Sequence, residues 1–152
     1  MKPVLFTFLL SCVLHSGLLA QQEVRIYDPG ADAADEMHLA VKKANAENKH
    51  VLIIAGGNWC SWCITFDHFI HADTQIDSLL NKTYVIYHLN FSKENENKEF
   101  LSHYPKVPGY PHFFVLESDG TFLYSQDTGE LESGQGHDHD KVLAFLKRWA
   151  PK

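Results

Sequence analysis

Cysteine is scarce in this chain: Cys12, Cys60 and Cys63 are the whole complement. A scaffold knitted together by several disulfides is therefore excluded, and the fold must rest on its own core. No cluster of lysine and arginine stands out, and the net charge is −6 with histidines neutral. That balance excludes the electrostatic footprint of a nucleic-acid binder and fits a soluble acidic protein. The chain has no internal repeat and no long low-complexity stretch. It also lacks an apolar run long enough to serve well as a membrane span. The stretch nearest to one, Val4–Ala20, is short and is interrupted by His15, Ser16 and Gly17.

That first stretch reads as a secretory signal. Lys2 adds positive charge, Val4 to Leu10 is apolar, and Leu18-Leu19-Ala20 ahead of Gln21-Gln22-Glu23 offers a cleavage point after Ala20. The expected organisation is a signal peptide over 1–20 and a single domain over 21–152, long enough to bury a core unaided. A first core element and a lipoprotein signal are the competing readings. Leu9-Leu10-Ser11-Cys12 has the outline of a lipobox, with Cys12 lipidated, but the apolar run continues past it. Export, to a periplasm or outside the cell, implies oxidising surroundings, in which a dithiol either transfers oxidation or is kept reduced by a partner. Asn81-Lys82-Thr83 and Asn90-Phe91-Ser92 match the glycosylation sequon, relevant only to a eukaryotic secretory route.

The two cysteines past residue 20 carry the most chemistry. Trp59-Cys60-Ser61-Trp62-Cys63 follows the apolar run Val51–Ala55 and Gly56-Gly57-Asn58. A dithiol thus sits where a strand hands over to a helix. The nucleophile of disulfide chemistry is the thiolate, and a free cysteine titrates near ~8.5. The unsatisfied N–H groups of a first helical turn lower that value. Cys60 is the cysteine expected there, with Cys63 one turn inside on the same face. Cys60 would attack a substrate disulfide, and Cys63 would then attack Cys60 and release the product. A zinc site would need two further ligands. The histidines nearest to suitable, His137 and His139, lie in an acidic loop far along the chain, and no metal or other cofactor is expected. A purely structural bridge closing so small a loop would restrict little chain entropy.

Alternating helical and strand patterns point to an α/β domain. Strands are expected at 24–27, 50–55, 84–90, 112–116 and 121–125, the last two joined as a hairpin by Asp119-Gly120. Helices are expected over 32–48, with Ala34, Met37, Val41 and Ala44 inward, over 61–72, and over 74–80 with Thr74 as cap. Two more are expected over 95–104 and 140–149, the last with Val142, Phe145, Leu146 and Trp149 inward. A second landmark is Gly109-Tyr110-Pro111, directly before the strand at 112. Proline there either opens the strand in the ordinary way or forms a cis bond that turns the Tyr110 backbone towards an extended peptide.

Together, Trp-Cys-x-x-Cys after a strand and Gly-x-Pro about fifty residues later before a hairpin resemble the thioredoxin superfamily. The form most similar is that of secreted bacterial thioredoxin-like disulfide reductases and isomerases. The resemblance covers nearly all of 21–152. It implies a central mixed β-sheet flanked by helices, with Cys60 as nucleophile and Cys63 as resolving thiol. It implies that Pro111 is the cis-proline facing the dithiol and helping to dock substrate, and that Trp59 is the tryptophan flanking the site; Trp62 and Tyr110 are the further substrate-binding expectations, read from their own positions. The partners implied are protein disulfides and, for net reduction, a membrane thiol electron donor, with the protein a monomer. Three positions depart from the pattern. Ile54 stands where thioredoxins carry a buried Asp thought to move the resolving cysteine's proton. Ser61-Trp62 replaces Gly-Pro, and Tyr110 is larger than the usual residue, so its ring either covers the sulfurs or grips substrate.

Other residues have a bland reading beside a functional one. Trp62 either docks substrate or packs on Tyr110. Asp67, one turn past Cys63, is a surface carboxylate or a proton shuttle. His68 and His71 face solvent or pack, and His112 is the histidine best placed to approach the site. A thioredoxin-like chaperone with an idle dithiol, and a metallochaperone using Cys60, Cys63 and a histidine, are the rival functions.

Overall fold

The computed structural model describes residues 25–152, so the signal-peptide and Cys12 readings lie outside the described residues. In chain order the elements are α1 (Ala33–Glu47), β1 (His50–Gly56), α2 (Ser61–Ala72), α3 (Thr74–Thr83), β2 (Tyr84–Asn90), α4 (Lys98–Leu101), β3 (His112–Leu116) and β4 (Phe122–Asp127). A 3₁₀ turn (Thr128–Leu131), the short strands β5 (Glu132–Ser133) and β6 (Gly136–His137), and α5 (His139–Arg148) complete the domain.

The main sheet has the order β2-β1-β3-β4. β1 pairs parallel with β2 and antiparallel with β3, and β3 pairs antiparallel with β4. This is the central mixed sheet flanked by helices that the α/β pattern and the resemblance imply. The central strands are buried on both faces, as near-continuous apolar runs require. Val51, Ile53 and Ala55 of β1 face α1 with Phe114 and Leu116 of β3. Leu52 and Ile54 face the α2, α3 and α5 side with Phe113 and Val115. The two-residue period of a strand makes this division.

Local capping explains where the helices start. Asp32 Oδ1 accepts from the N–H groups of Ala34 and Asp35 at 2.9 and 3.0 Å. Asp138 accepts from Lys141 N–H at 3.0 Å, so α5 begins one residue before the expected start. α3 is capped by Asp73, whose Oδ1 accepts from Gln75 and Ile76, and not by Thr74 as expected. The carboxylate at the preceding extended residue reaches the free N–H groups, which leaves Thr74 inside the first turn. The Asp119-Gly120 turn is as expected, with Gly120 at φ +90°.

Four expectations need correction. Arg25–Tyr27 form no strand, because the backbone of Ile26 and Tyr27 bonds to the Asn58 side chain instead of to a neighbouring strand. The inward face of α1 is Ala33, Met37, Ala40 and Ala44; Ala34 is exposed and Val41 only partly covered. The helix expected over 95–104 shrinks to the single turn of α4. Asn95 and Asn97 spend their amides on the backbone at Pro29, Ala31 and Asn90, and Asn97 is left-handed at φ 46°. Asparagine competes with helix in this way. The segment after β4, read as loop, forms the 3₁₀ turn and the β5–β6 hairpin. Of the two sequons, Asn90 is 4% exposed and bonded to Ser92 and Asn95, which puts its amide out of reach of a glycan.

The capping assignment predicts that Asp73→Ala destabilises the protein by about 1 kcal/mol. Thr74→Ala should stay within about 0.5 kcal/mol of the parent. Urea denaturation of the two variants separates them, and a larger loss in Thr74→Ala would refute the assignment.

Candidate active site

β1 ends at Gly56, and the turn Gly57-Asn58-Trp59 carries the chain to α2. Cys60 is the N-cap of α2 (φ −92°, ψ 98°), one position ahead of the first turn. Its Sγ accepts from the Cys63 N–H at 3.1 Å, and its carbonyl accepts from Ile64 at 3.2 Å. Cysteine here does the work of a capping serine or aspartate: a sulfur takes up one of the helix's free N–H groups. Cys60 and Cys63 are joined in a disulfide, with Cα atoms 5.2 Å apart. Cys60 is 6% exposed and Cys63 1%. The outer sulfur belongs to the residue expected as nucleophile.

β3 runs antiparallel beside β1 with His112 opposite Ala55, which brings Tyr110 and Pro111 to the dithiol end of the sheet. The Tyr110–Pro111 peptide bond is cis, and the Pro111 carbonyl accepts from the Thr128 hydroxyl. Trp59 is 58% exposed. Its indole N–H donates to the Phe91 carbonyl, and its ring meets Tyr110 edge-on at 5.9 Å. Tyr110 stacks on Phe91 at 4.8 Å and packs against the cluster of Tyr27, Cys60 and Cys63. The three rings form one aromatic platform beside the disulfide. Gly57 permits it, since a Cβ there would stand in the space of the Trp59 indole and the Phe91 carbonyl.

Trp62 is partly buried and packs against the same cluster of Tyr27, Cys60 and Cys63. Its indole N–H donates to Glu132 on β5, and its ring lies 5.3 Å from that of His137 on β6. The β5–β6 hairpin, which the sequence reading had missed, is therefore the wall on the Trp62 side of the dithiol. His137 also meets Phe66 and Phe69 at 4.9 and 5.6 Å, and both of its ring nitrogens are buried without a partner. Burial pushes its pKa down against the pull of Glu132. His139 goes to Asp73 and Asp140 instead. Among the described residues, no group of three or more histidine, cysteine or acidic side chains is arranged to hold a metal.

The remaining tempting histidines are placed as follows. His68 is exposed, and His71 pairs with Asp77 at 2.8 Å. His112 is buried beneath β4, with Nε2 at 2.7 Å from the Ser125 hydroxyl, and burial lowers its pKa. Asp67 approaches His88 Nε2 at 3.5 Å, and that contact is the main reason its carboxyl is held below the usual carboxylate range. Sequence reasoning gave no role to Tyr27, Phe91, His88 or Glu132. Asn58 was visible in the motif, but nothing local to it signals that its amide ties down Ile26 and Tyr27.

Comparison with known proteins bears on this geometry. A family model described as Thioredoxin-like matches residues 32–118. Thiol:disulfide interchange protein DsbD of Colwellia psychrerythraea is 26% identical over 105 residues. That match covers 68% of this chain, and the chain spans 17% of the length of that curated relative. The crystal structure of a disulphide isomerase from Xylella fastidiosa Temecula1 superposes with a TM-score of 0.71 at 24% identity, covering 82% of this chain and 96% of that one. The C-terminal domain of Neisseria meningitidis DsbD in the oxidised form gives 0.56 at 18%, covering 78% and 97%. A thioredoxin from Thermus thermophilus gives 0.55 at 20%, covering 73% and 81%. At these identities the structural likeness is one of fold.

Two histidines with buried ring nitrogens, His112 and His137, predict acid sensitivity. In the unfolded chain each takes a proton near ~6.5, while in the fold each resists it. The unfolded state thus binds more protons as pH falls through that value, and stability present at pH 7 is lost towards pH 5. His137→Phe keeps the aromatic packing and removes one of the two groups. Its melting temperature should vary less between pH 7 and 5 than that of the parent; identical slopes would refute the assignment.

Proposed function

The chain belongs to the Thioredoxin-like family, and we propose that it is an exported thiol–disulfide oxidoreductase that reduces or isomerises protein disulfides through a Cys60–Cys63 cycle. One observation carries the reading: the two cysteines form a disulfide at the leading end of α2, where the Cys63 N–H already rests on the Cys60 sulfur. In the reduced protein that N–H and the free ends of the first turn favour the Cys60 thiolate.

The cycle then runs as follows. Cys60 attacks one sulfur of a substrate disulfide, and the other substrate sulfur leaves with the electron pair and takes a proton. Cys63 attacks Cys60, the mixed disulfide breaks, and the second substrate thiol departs. Two electrons pass from the dithiol to the substrate, and Cys60–Cys63 returns to the disulfide. A dithiol donor, for which a membrane thiol carrier is the candidate, restores the reduced pair.

Trp59, Tyr110 and Pro111 line the approach to the sulfurs and are the substrate-binding candidates. Trp62, against the dithiol cluster on the side of the β5–β6 wall, is a further substrate-binding candidate. Export rests on the pattern of residues 1–20. Among the described residues, no helix is long and apolar enough to cross a membrane. Ser61 and Trp62 bring no charge to the dithiol, which favours reductase or isomerase over strong oxidant.

Redox titration of the pair against glutathione tests the direction. A potential well below that of the strong oxidases is expected, and a value near about −120 mV would overturn it. Cys63→Ser should accumulate mixed disulfides through Cys60, and the absence of any adduct would overturn the assigned roles. The exposed Trp59 platform favours one rival, a client-holding module with an idle dithiol. Loss of client binding in Trp59→Ala with full binding in Cys60→Ser would select that rival.

A further inference from the structure

Resolution of the mixed disulfide requires Cys63 to lose its proton. Cys63 is 1% exposed, so bulk water does not reach its sulfur directly. The helix end serves Cys60 at the cap, and position 54 offers only a buried isoleucine. The proton must leave through another group.

Gly56 shows which group is adjacent. A Cβ built there would stand 2.6 Å from Cys63 Sγ and 2.7 Å from the Tyr27 hydroxyl. The missing side chain leaves one space that both the phenol oxygen and the sulfur border, and Tyr27 packs in one cluster with Cys60 and Cys63. Tyr27 is buried, and its position is held by the dithiol loop itself. The Asn58 side chain accepts from Tyr27 N–H at 3.1 Å and donates to its carbonyl at 2.7 Å, two residues before Cys60. Beyond the phenol lies the His88 ring, edge-on at 5.4 Å, and His88 Nε2 is 3.5 Å from Asp67 Oδ1. The Asp67 and His88 side chains are both partly exposed, while His88 Nε2 itself is buried and makes no hydrogen bond in the resting fold. Burial and the Asp67 charge raise the Tyr27 pKa, so the phenol stays neutral at working pH and acts as a relay. The groups facing this path are Asp67 from α2 and His88 from β2, and the charges of His71 and His68 act on Asp67 in turn.

We propose that Tyr27 is a further catalytic residue, whose hydroxyl hands the Cys63 proton to the Asp67–His88 pair and so to solvent. This rests on the Cys60–Cys63 cycle proposed above. The Cys63 S–H bond breaks as the phenol oxygen takes its proton and the phenol releases its own towards Asp67–His88. The freed electron pair on Cys63 Sγ forms the bond to Cys60 Sγ. The bond from Cys60 to the substrate sulfur breaks, and that sulfur leaves with its pair and takes a proton from water. Reduction of the Cys60–Cys63 disulfide returns the proton by the same path.

The test uses the fully reduced full chain carrying Cys12→Ser, so that Cys60 and Cys63 are its only thiols, and the aromatic disulfide dithiobis(nitrobenzoate); every variant below is made in this parent. The first thiolate released reports attack by Cys60, and the second reports resolution by Cys63. In Tyr27→Phe, which keeps the ring, the first phase should be unchanged. The second should slow at least about tenfold, with its pH profile moved to higher pH. Asp67→Asn should slow the second phase when Tyr27 is present and add nothing in Tyr27→Phe. A Tyr27→Phe protein whose second phase superimposes on the parent at every pH overturns the proposal. So does an Asp67→Asn effect of equal size in both backgrounds. A parent chain that releases only the first thiolate overturns the underlying cycle itself, a failure distinct from these.

Discussion

The structure depends on a sulfur serving as a helix cap. Cys60 stands at the boundary where β1 has finished hydrogen bonding and α2 has not yet begun, and its Sγ takes the Cys63 N–H. The sheet fixes that boundary. β1 lies between β2 and β3 and is buried on both faces, so its end cannot shift without moving the core. The Phe91 N–H binds the Gly56 carbonyl at 2.6 Å, which extends the β1–β2 pairing up to the dithiol turn. Rigid pairing therefore sets the sulfur's position, and the helix behind it sets the electrostatics.

Around this point the two sulfurs have different surroundings. Cys60 meets the outer side, with Tyr110 stacked on Phe91 and met edge-on by Trp59 next to it. Cys63 meets the inner side, with Gly56 and Tyr27 against it. Such a division suits a pair in which one thiol must meet a partner and the other must meet only its neighbour. The β5–β6 hairpin closes a third side by holding Trp62 through Glu132 and His137.

Much of the fold was legible because its signals are local. The strand pattern at 50–55, the branched and aromatic run 84–90 and the Asp119-Gly120 turn each announce an element within a few residues. The failures have a physical pattern. Asn95 and Asn97 sit in a stretch with helical spacing, yet their amides bond to distant carbonyls and unwind it. Thr74 is a fair cap by type, but Asp73 reaches the same N–H groups. Arg25–Tyr27 has strand composition, and a single asparagine takes its backbone partners away.

The sequence by itself determined the dithiol, its place between strand and helix, the proline before β3 and the α/β class. All of these follow from residue type and short spacing. Tertiary structure alone decided which side chains surround each sulfur. Tyr27, Cys63, Asp67 and His88 come from three separate segments, and Trp62 finds its partners seventy residues on, with Glu132. Periodicity shows which face of an element is apolar, but it does not say which other element that face will meet. That meeting is set by how the sheet orders its strands, and only the folded chain holds this information.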